Sequence, residues 1–163
     1  KSSCECTEPS VKVEFLAAGE SSPLTVSYNT KNFYGPQSRF VEIHTSDPHT
    51  PQRIFQFRAI VGGRPAEVDM RPRSVFNLPG SGIDTIKIKN YADRRLDFAI
   101  VFQDTSLFHL DVPVKFVAPG GYAEIYLLPR EDLSRGVYFS TVTLEFSANP
   151  PVRVSTPVKL VRY

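Results

Sequence analysis

The chain has 163 residues and contains no tryptophan, two cysteines, one methionine and three histidines. Cys4 and Cys6 have no second cysteine pair and no histidine near them in sequence, so a tetrahedral zinc set is missing. No apolar run approaches the roughly 18 residues that a membrane-spanning helix needs. Charge of one sign is also lacking: 19 Lys and Arg face 17 Asp and Glu, for a net +2. The two signs alternate along the chain, and without a basic run the electrostatic footprint of a nucleic-acid binder is absent. Nothing sustains the i, i+3, i+4, i+7 apolar pattern of a helix. There is no Gly-x-Ser-x-Gly elbow and no glycine-rich phosphate loop ahead of a helix. Asp84, Asp93, Asp97, Asp104 and Asp111 are scattered among strand ends and turns, and nothing selects two of them as an acid–base pair. The sequence therefore assigns no catalytic residue and no cofactor.

What the chain does have is 12 Phe and 7 Tyr, residues that favour strands, in short alternating runs broken by Pro, Gly, Asn and Asp. Such runs predict an all-β sandwich. Leu24 to Tyr28, Phe40 to Thr45, Ile54 to Ile60 and Thr85 to Lys89 alternate. Leu96 to Phe102 is more continuously apolar and reads as buried on both sides. Ala66 to Val75, Tyr122 to Leu128, Val137 to Phe146 and Val152 to Val161 complete the strands. Ile86, Ile88, Phe98, Ile100, Ile125, Val142 and Leu144 are the expected core, with Lys87, Lys89, Thr143 and Glu145 facing water. Ala118-Pro-Gly-Gly121 has the chemistry of a tight turn, and Asn149-Pro-Pro151 cannot continue a ladder, so it joins two strands. Arg130 to Leu133 has room for one helical turn.

The chain also repeats itself. Phe15-Leu-Ala-Ala-Gly19 returns as Phe116-Val-Ala-Pro-Gly120, Gly35 as Gly136, and Val41 to Ser46 as Val142 to Ser147, each at an offset of 101. A period of about 100 residues is the size of one immunoglobulin-like sandwich. The second copy has a full set of strands before Phe116, whereas the first has only 14 residues before Phe15. The expected architecture is thus tandem Ig-like β-sandwiches with the first incomplete. Residues 1–62 form the C-terminal half of a sandwich, 63–65 a linker centred on Gly62-Gly-Arg-Pro65, and 66–163 a complete sandwich. Since Lys1 is not an initiator methionine, the chain is expected to be part of a longer product.

Ser3-Cys-Glu-Cys-Thr7, the Ala17-Ala-Gly-Glu20 turn, Leu24 to Tyr28, Thr30, Gly35 and Thr45-Ser-Asp-Pro48 follow one another in a distinctive order. Over about residues 2 to 61 this order resembles a bacterial family of Ig-like domains. The family is catalogued as a domain of unknown function of the fifteen-seventy-three type, related in fold to Hydin-like and major-sperm-protein-like sandwiches. The resemblance implies an exported protein without established enzymatic activity, and about 40 preceding residues that supply the first strands.

Cys4 and Cys6 are the only residues that invite metal or thiol chemistry. Two thiolates one residue apart reach a soft ion such as Cu(I); as a disulfide they close a very small, readily reduced loop. The plainest reading packs one inside as a small hydrophobe and leaves the other facing out. His44 is expected on a solvent-facing strand position, His49 in the Ser46 to Pro51 loop and His109 in a loop. Asp93-Arg-Arg95 reads as a polar hairpin tip, with an anion or partner spot as its sharper alternative. Phe33-Tyr34 is the one candidate aromatic platform for a carbohydrate. On balance the sequence predicts a non-enzymatic structural or interaction module of a periplasmic or extracellular, cell-envelope protein. Its expected partner is a protein, or missing N-terminal polypeptide, that completes the first sandwich, and a lipid or membrane anchor upstream of Lys1 is compatible with it. A copper- or thiol-handling protein using Cys4 and Cys6 and a carbohydrate-binding module are the alternatives.

Overall fold

The computed structural model describes residues 2, 6–62, 67–73, 75–77 and 83–163. It is all-β, with 13 strands among the described residues. The first four are β1 (Thr7–Val11), β2 (Leu24–Tyr28), β3 (Gly35–His44) and β4 (Gln52–Val61). They form two separate two-stranded antiparallel sheets, β1–β2 and β3–β4. The others are β5 (Val68–Arg71), β6 (Val75–Asn77), β7 (Asp84–Asn90), β8 (Leu96–Phe102), β9 (Phe108–Asp111), β10 (Phe116–Val117), β11 (Tyr122–Pro129), β12 (Gly136–Phe146) and β13 (Val152–Arg162). These build a five-stranded sheet, β10-β8-β12-β13-β6, and a four-stranded sheet, β5-β7-β11-β9.

The inner faces of the two larger sheets share one core. Met70, Ile86, Ile88, Ile125 and Leu127 come from one sheet, and Leu96, Phe98, Val142, Leu144, Val158 and Leu160 from the other. Of the seven expected core residues six are buried, and Ile100 is half-buried against the same cluster. The rings of Phe98 and Phe146 lie 5.5 Å apart, within the range of favourable tilted aromatic contact. The Ala118 to Gly121 turn forms as its residues dictate: Gly121 N–H donates to Ala118 O at 2.9 Å, and Gly120 takes a φ of 62°.

Several expectations are corrected. Ala66 to Val75 is not one strand. Pro72 has no N–H to continue a ladder, and the chain changes sheet there, leaving β5 on β7 and β6 parallel to β13. Leu96 to Phe102 alternates instead of being buried on both faces, because Leu96 and Phe98 point into the core while Asp97, Ala99 and Val101 face out. Asp93 to Arg95 is not a hairpin tip, since β7 and β8 belong to different sheets and the segment crosses between them. His109 lies in β9, exposed between buried Phe108 and Leu110, so the pleat, not a loop, sets its direction. Residues 131–132 form a turn without a helix. The 63–65 linker lies outside the described residues.

The most informative correction is Thr143, expected in water and only 3% exposed. The outer face of β12 and β13 is covered by the first stretch of the chain. Phe40 of β3 meets Phe139 of β12 with ring centroids 5.2 Å apart, Phe33 bridges to Arg153, and Arg153 N–H donates to Asn32 O at 2.6 Å. β3 therefore packs across a sheet that alternation alone marks as half solvated.

Candidate functional site

Alternation along β3 puts Gln37, Arg39 and Val41 on one face, and all three are buried. Arg39 is fully buried, with 0% of its surface exposed. Its guanidinium is closed in from three directions. Nε donates to Cys6 Sγ at 3.4 Å and Nη1 to the Ser38 carbonyl at 2.8 Å. Nη2 faces Tyr28 Oη at 3.0 Å, Gln37 Oε1 at 3.2 Å and Ser155 Oγ at 3.2 Å. The rings of Phe33 and Tyr28 lie 4.9 and 5.1 Å from Cζ, as cation–π partners. Ser155 is in turn bonded to Thr143 Oγ1 at 2.8 Å, so the network ties Cys6, β2 and β3 to the outer face of β12 and β13.

Every one of these acceptors is neutral: among the described residues Arg39 has no carboxylate partner. A guanidinium taken out of water without an anion is costly even when its N–H groups are satisfied. Burial lowers the Arg39 pKa from its ordinary value, opposed by Tyr28, and burial raises that of Tyr28, opposed by Arg39.

Two of the acceptors, Gln37 and Ser155, also line a groove of about 630 Å³ between β4, the end of β5 and β13. Its other walls are Ser38, Gln56, Arg58, Ala59, Ile60, Arg71 and Arg73. Among the described residues three arginines and no carboxylate line it. Arg58 has no ion-pair partner among the described residues. Arg71 and Arg73 share one carboxylate, at 2.8 and 2.9 Å from Asp69, which leaves each with further N–H donors.

The residues singled out from sequence fall elsewhere, with one exception. Cys4 lies outside the described residues. Cys6 is half-buried, disulfide-bonded and in contact with Arg39; the chain has one other cysteine. Its sulfur is thus held in a network, not simply packed as a small hydrophobe. No group of three His, Cys, Asp or Glu side chains converges on a metal position among the described residues. His44 is exposed and 2.8 Å from Glu42. His49 sits in an exposed loop braced by Asp47, whose carboxyl is held below its ordinary range by the Thr50 hydroxyl and the His49 backbone N–H. Arg94 and Arg95 pair with Glu67 and Asp97 at 2.7 and 2.5 Å, so their charges are already answered. Phe33 is 3% exposed and stacks on Tyr28 at 5.8 Å, which removes the proposed aromatic platform.

Arg39 was the residue missed. One signal existed: the offset of 101 aligns Arg39 with Ser140, itself buried, and Val41 with fully buried Val142. That alignment marks position 39 as interior despite its charge.

With this geometry in view, the comparisons can be placed. Residues 1–61 match the family model described as "Protein of unknown function (DUF1573)". The matched stretch contains β1 to β4, Cys6 and Arg39, and it is the stretch over which the sequence resembles that family. No curated protein matches the chain. Among solved structures the chain is similar to WR4, a C. elegans MSP family member, at 14% identity over 61% of this chain and 100% of that one, with a TM-score of 0.48. It is similar to PapD-like domain 7 of human CEP192 at 15% identity over 74% of this chain and 98% of that one, TM-score 0.46. It also resembles the E. coli chaperone DraB at 15% identity over 58% and 54%, TM-score 0.42.

Proposed function

We propose that the chain is a non-enzymatic interaction module of an exported, cell-envelope protein, built as two sandwich repeats. In this reading the first repeat is completed by a strand from another polypeptide segment. The tandem parse, with its boundary at residues 63–65, draws support from strand register. Thr7 faces Tyr28 and Gly35 faces Val61 in the first stretch. In the larger sandwich Phe108 faces Pro129 and Gly136 faces Arg162, and each of these numbers is the earlier one plus 101. The observation that carries the reading is the free edge of β4. Its counterpart β13 is flanked by β12 and β6, whereas among the described residues β4 pairs with β3 alone. A ten-residue strand with one open edge and with Phe55 and Ile60 49% and 85% exposed is a template for strand addition.

The test is amide hydrogen exchange resolved by residue. Outward-facing amides of β4 are expected to exchange much faster than those of β13 in the chain alone, and to slow when a completing strand is supplied. Equal protection of β4 and β13 in the chain alone would sink the reading. Fractionation of the producing cell checks the envelope location.

A second reading, thiol handling through Cys4 and Cys6, is favoured by one contact, the Arg39 Nε–H donated to the disulfide-bonded Cys6 sulfur. A guanidinium there favours thiolate over thiol once the bond is reduced. Alkylation rates against pH on the reduced protein decide it: a Cys6 thiol with an ordinary pKa rules this reading out. Stoichiometric copper that is lost in Cys4→Ser would instead support metal handling.

A further inference from the structure

We infer that the groove between β4, β5 and β13 is an anion-reading site, and that its occupant is an acidic segment of a partner protein added in extended form along β4. The inference rests on the strand-addition reading and adds the chemistry of the strand. Three observations converge. First, among the described residues the walls carry Arg58, Arg71 and Arg73 and no acidic side chain, in a chain whose overall charge is only +2. The local excess of cations is therefore not a property of the whole surface. Second, among the described residues Arg58 has no ion-pair partner, and behind the wall stands Arg39, buried and paired there only with neutral acceptors. Two of those acceptors, Gln37 and Ser155, face the groove. A carboxylate seated there would lie in the field of four guanidinium groups against the single carboxylate of Asp69. Third, the groove runs beside the edge of β4 that is open among the described residues. In the larger sandwich β6 pairs in parallel with Val158 to Leu160 of β13. Subtracting 101 places the equivalent pairing at Phe57 to Ala59, in the stretch of β4 that lines the groove.

The last point selects among anions. Phosphate or an acidic sugar answers the arginines but leaves the N–H and C=O groups of β4 unpaired. An extended peptide with Asp or Glu answers both. A second copy of this chain is disfavoured, because β4 contains Arg53 and Arg58 and no carboxylate, so two β4 edges would bring like charges together.

The experiment is selection of short random peptides displayed on phage against the 163-residue chain, followed by fluorescence anisotropy of those enriched. Expected are peptides with Asp or Glu at alternate positions, whose affinity falls about tenfold when those residues become Asn or Gln, or in Arg58→Gln. Arg58 is exposed and unpaired among the described residues, so this change spares the fold; the double variant Arg71→Gln, Arg73→Gln is the second probe. Enrichment of neutral peptides, indifference to Arg58→Gln, no enrichment, or dimerisation through β4 would each overturn the inference. Competition by inorganic phosphate that matches the best peptide would also overturn it. N-methylation of the peptide backbone separates the two layers. Acidic peptides that still bind when N-methylated refute strand addition but keep the anion site. Neutral peptides that bind only when unmethylated keep strand addition and refute the anion site.

Discussion

Arg39 concentrates in one side chain what holds the first stretch to the rest. Its planar fork donates in three directions at once, to Cys6 just before β1, to β2 and to β13, and an ammonium on a flexible stem has no such geometry. Arg39→Lys is therefore expected to cost about 2–3 kcal/mol in chemical denaturation; a loss below about 0.5 kcal/mol, the range of a surface substitution, would show that the network is dispensable. Tyr28 supplies a pH signature. Its phenol is raised above 10.0, by burial first, so its share of stability is fully present below that value and fades as pH rises through the folded-state pKa. The denaturation midpoint should thus fall just above pH 10 in the native chain and fall less in Tyr28→Phe. Arg39 has the opposite sign, because burial lowers its pKa, and it acts only at strongly alkaline pH. At this scale the sequence was legible where a side chain obeys its strand's alternation, as Ile86, Ile88 and Val142 do. It failed at Arg39 and Thr143, because a residue's charge or polarity says nothing of which neighbour will cover its face.

Among the elements, β8 shows how far patterning reaches. Phe98 packs on Phe146 across the sheet, and Phe98→Ala is expected to cost about 3–5 kcal/mol by thermal or urea unfolding. A cost under about 1 kcal/mol would place Phe98 outside the core. The strands were legible where period-two alternation survives, as in β2, β8 and β11. The splitting of Ala66 to Val75 was not, because a proline within a strand pattern marks an edge strand and a break alike, and Pro72 is where the chain changes sheets. His109 was misplaced for a related reason: β9 has only four residues, too few for alternation to stand out from a loop.

For the molecule as a whole, the nine strands that follow residue 67 read as one sandwich, and the four before residue 62 pack on its outer face. If Gly62 to Pro65 joins two repeats, a broad-specificity protease should nick there first, and a first cut within β12 would refute the domain parse. The packing adds a further expectation. The nicked pieces should stay together on size exclusion under native conditions, since Phe40–Phe139 and the Arg39–Ser155 bond cross between them. The all-β class was readable from the short alternating runs. The packing of β3 on the outer face of β12 and β13 was not, because alternation does not say what will cover an outer face.

β13 carries a last consequence, in the order in which the chain is made. It pairs with β12 and β6 and packs against β3 and β5, yet it follows all four in sequence. β3 ends at residue 44 and β13 begins at residue 152, an interval that a ribosome crosses in about 5–20 s. Throughout that time Phe40 and Arg39 have no surface to rest on, and β6 has no strand to pair with. The nascent chain therefore passes through a period of seconds in which its early strands are exposed templates, and a holding factor that shields them would act between β4 and β13.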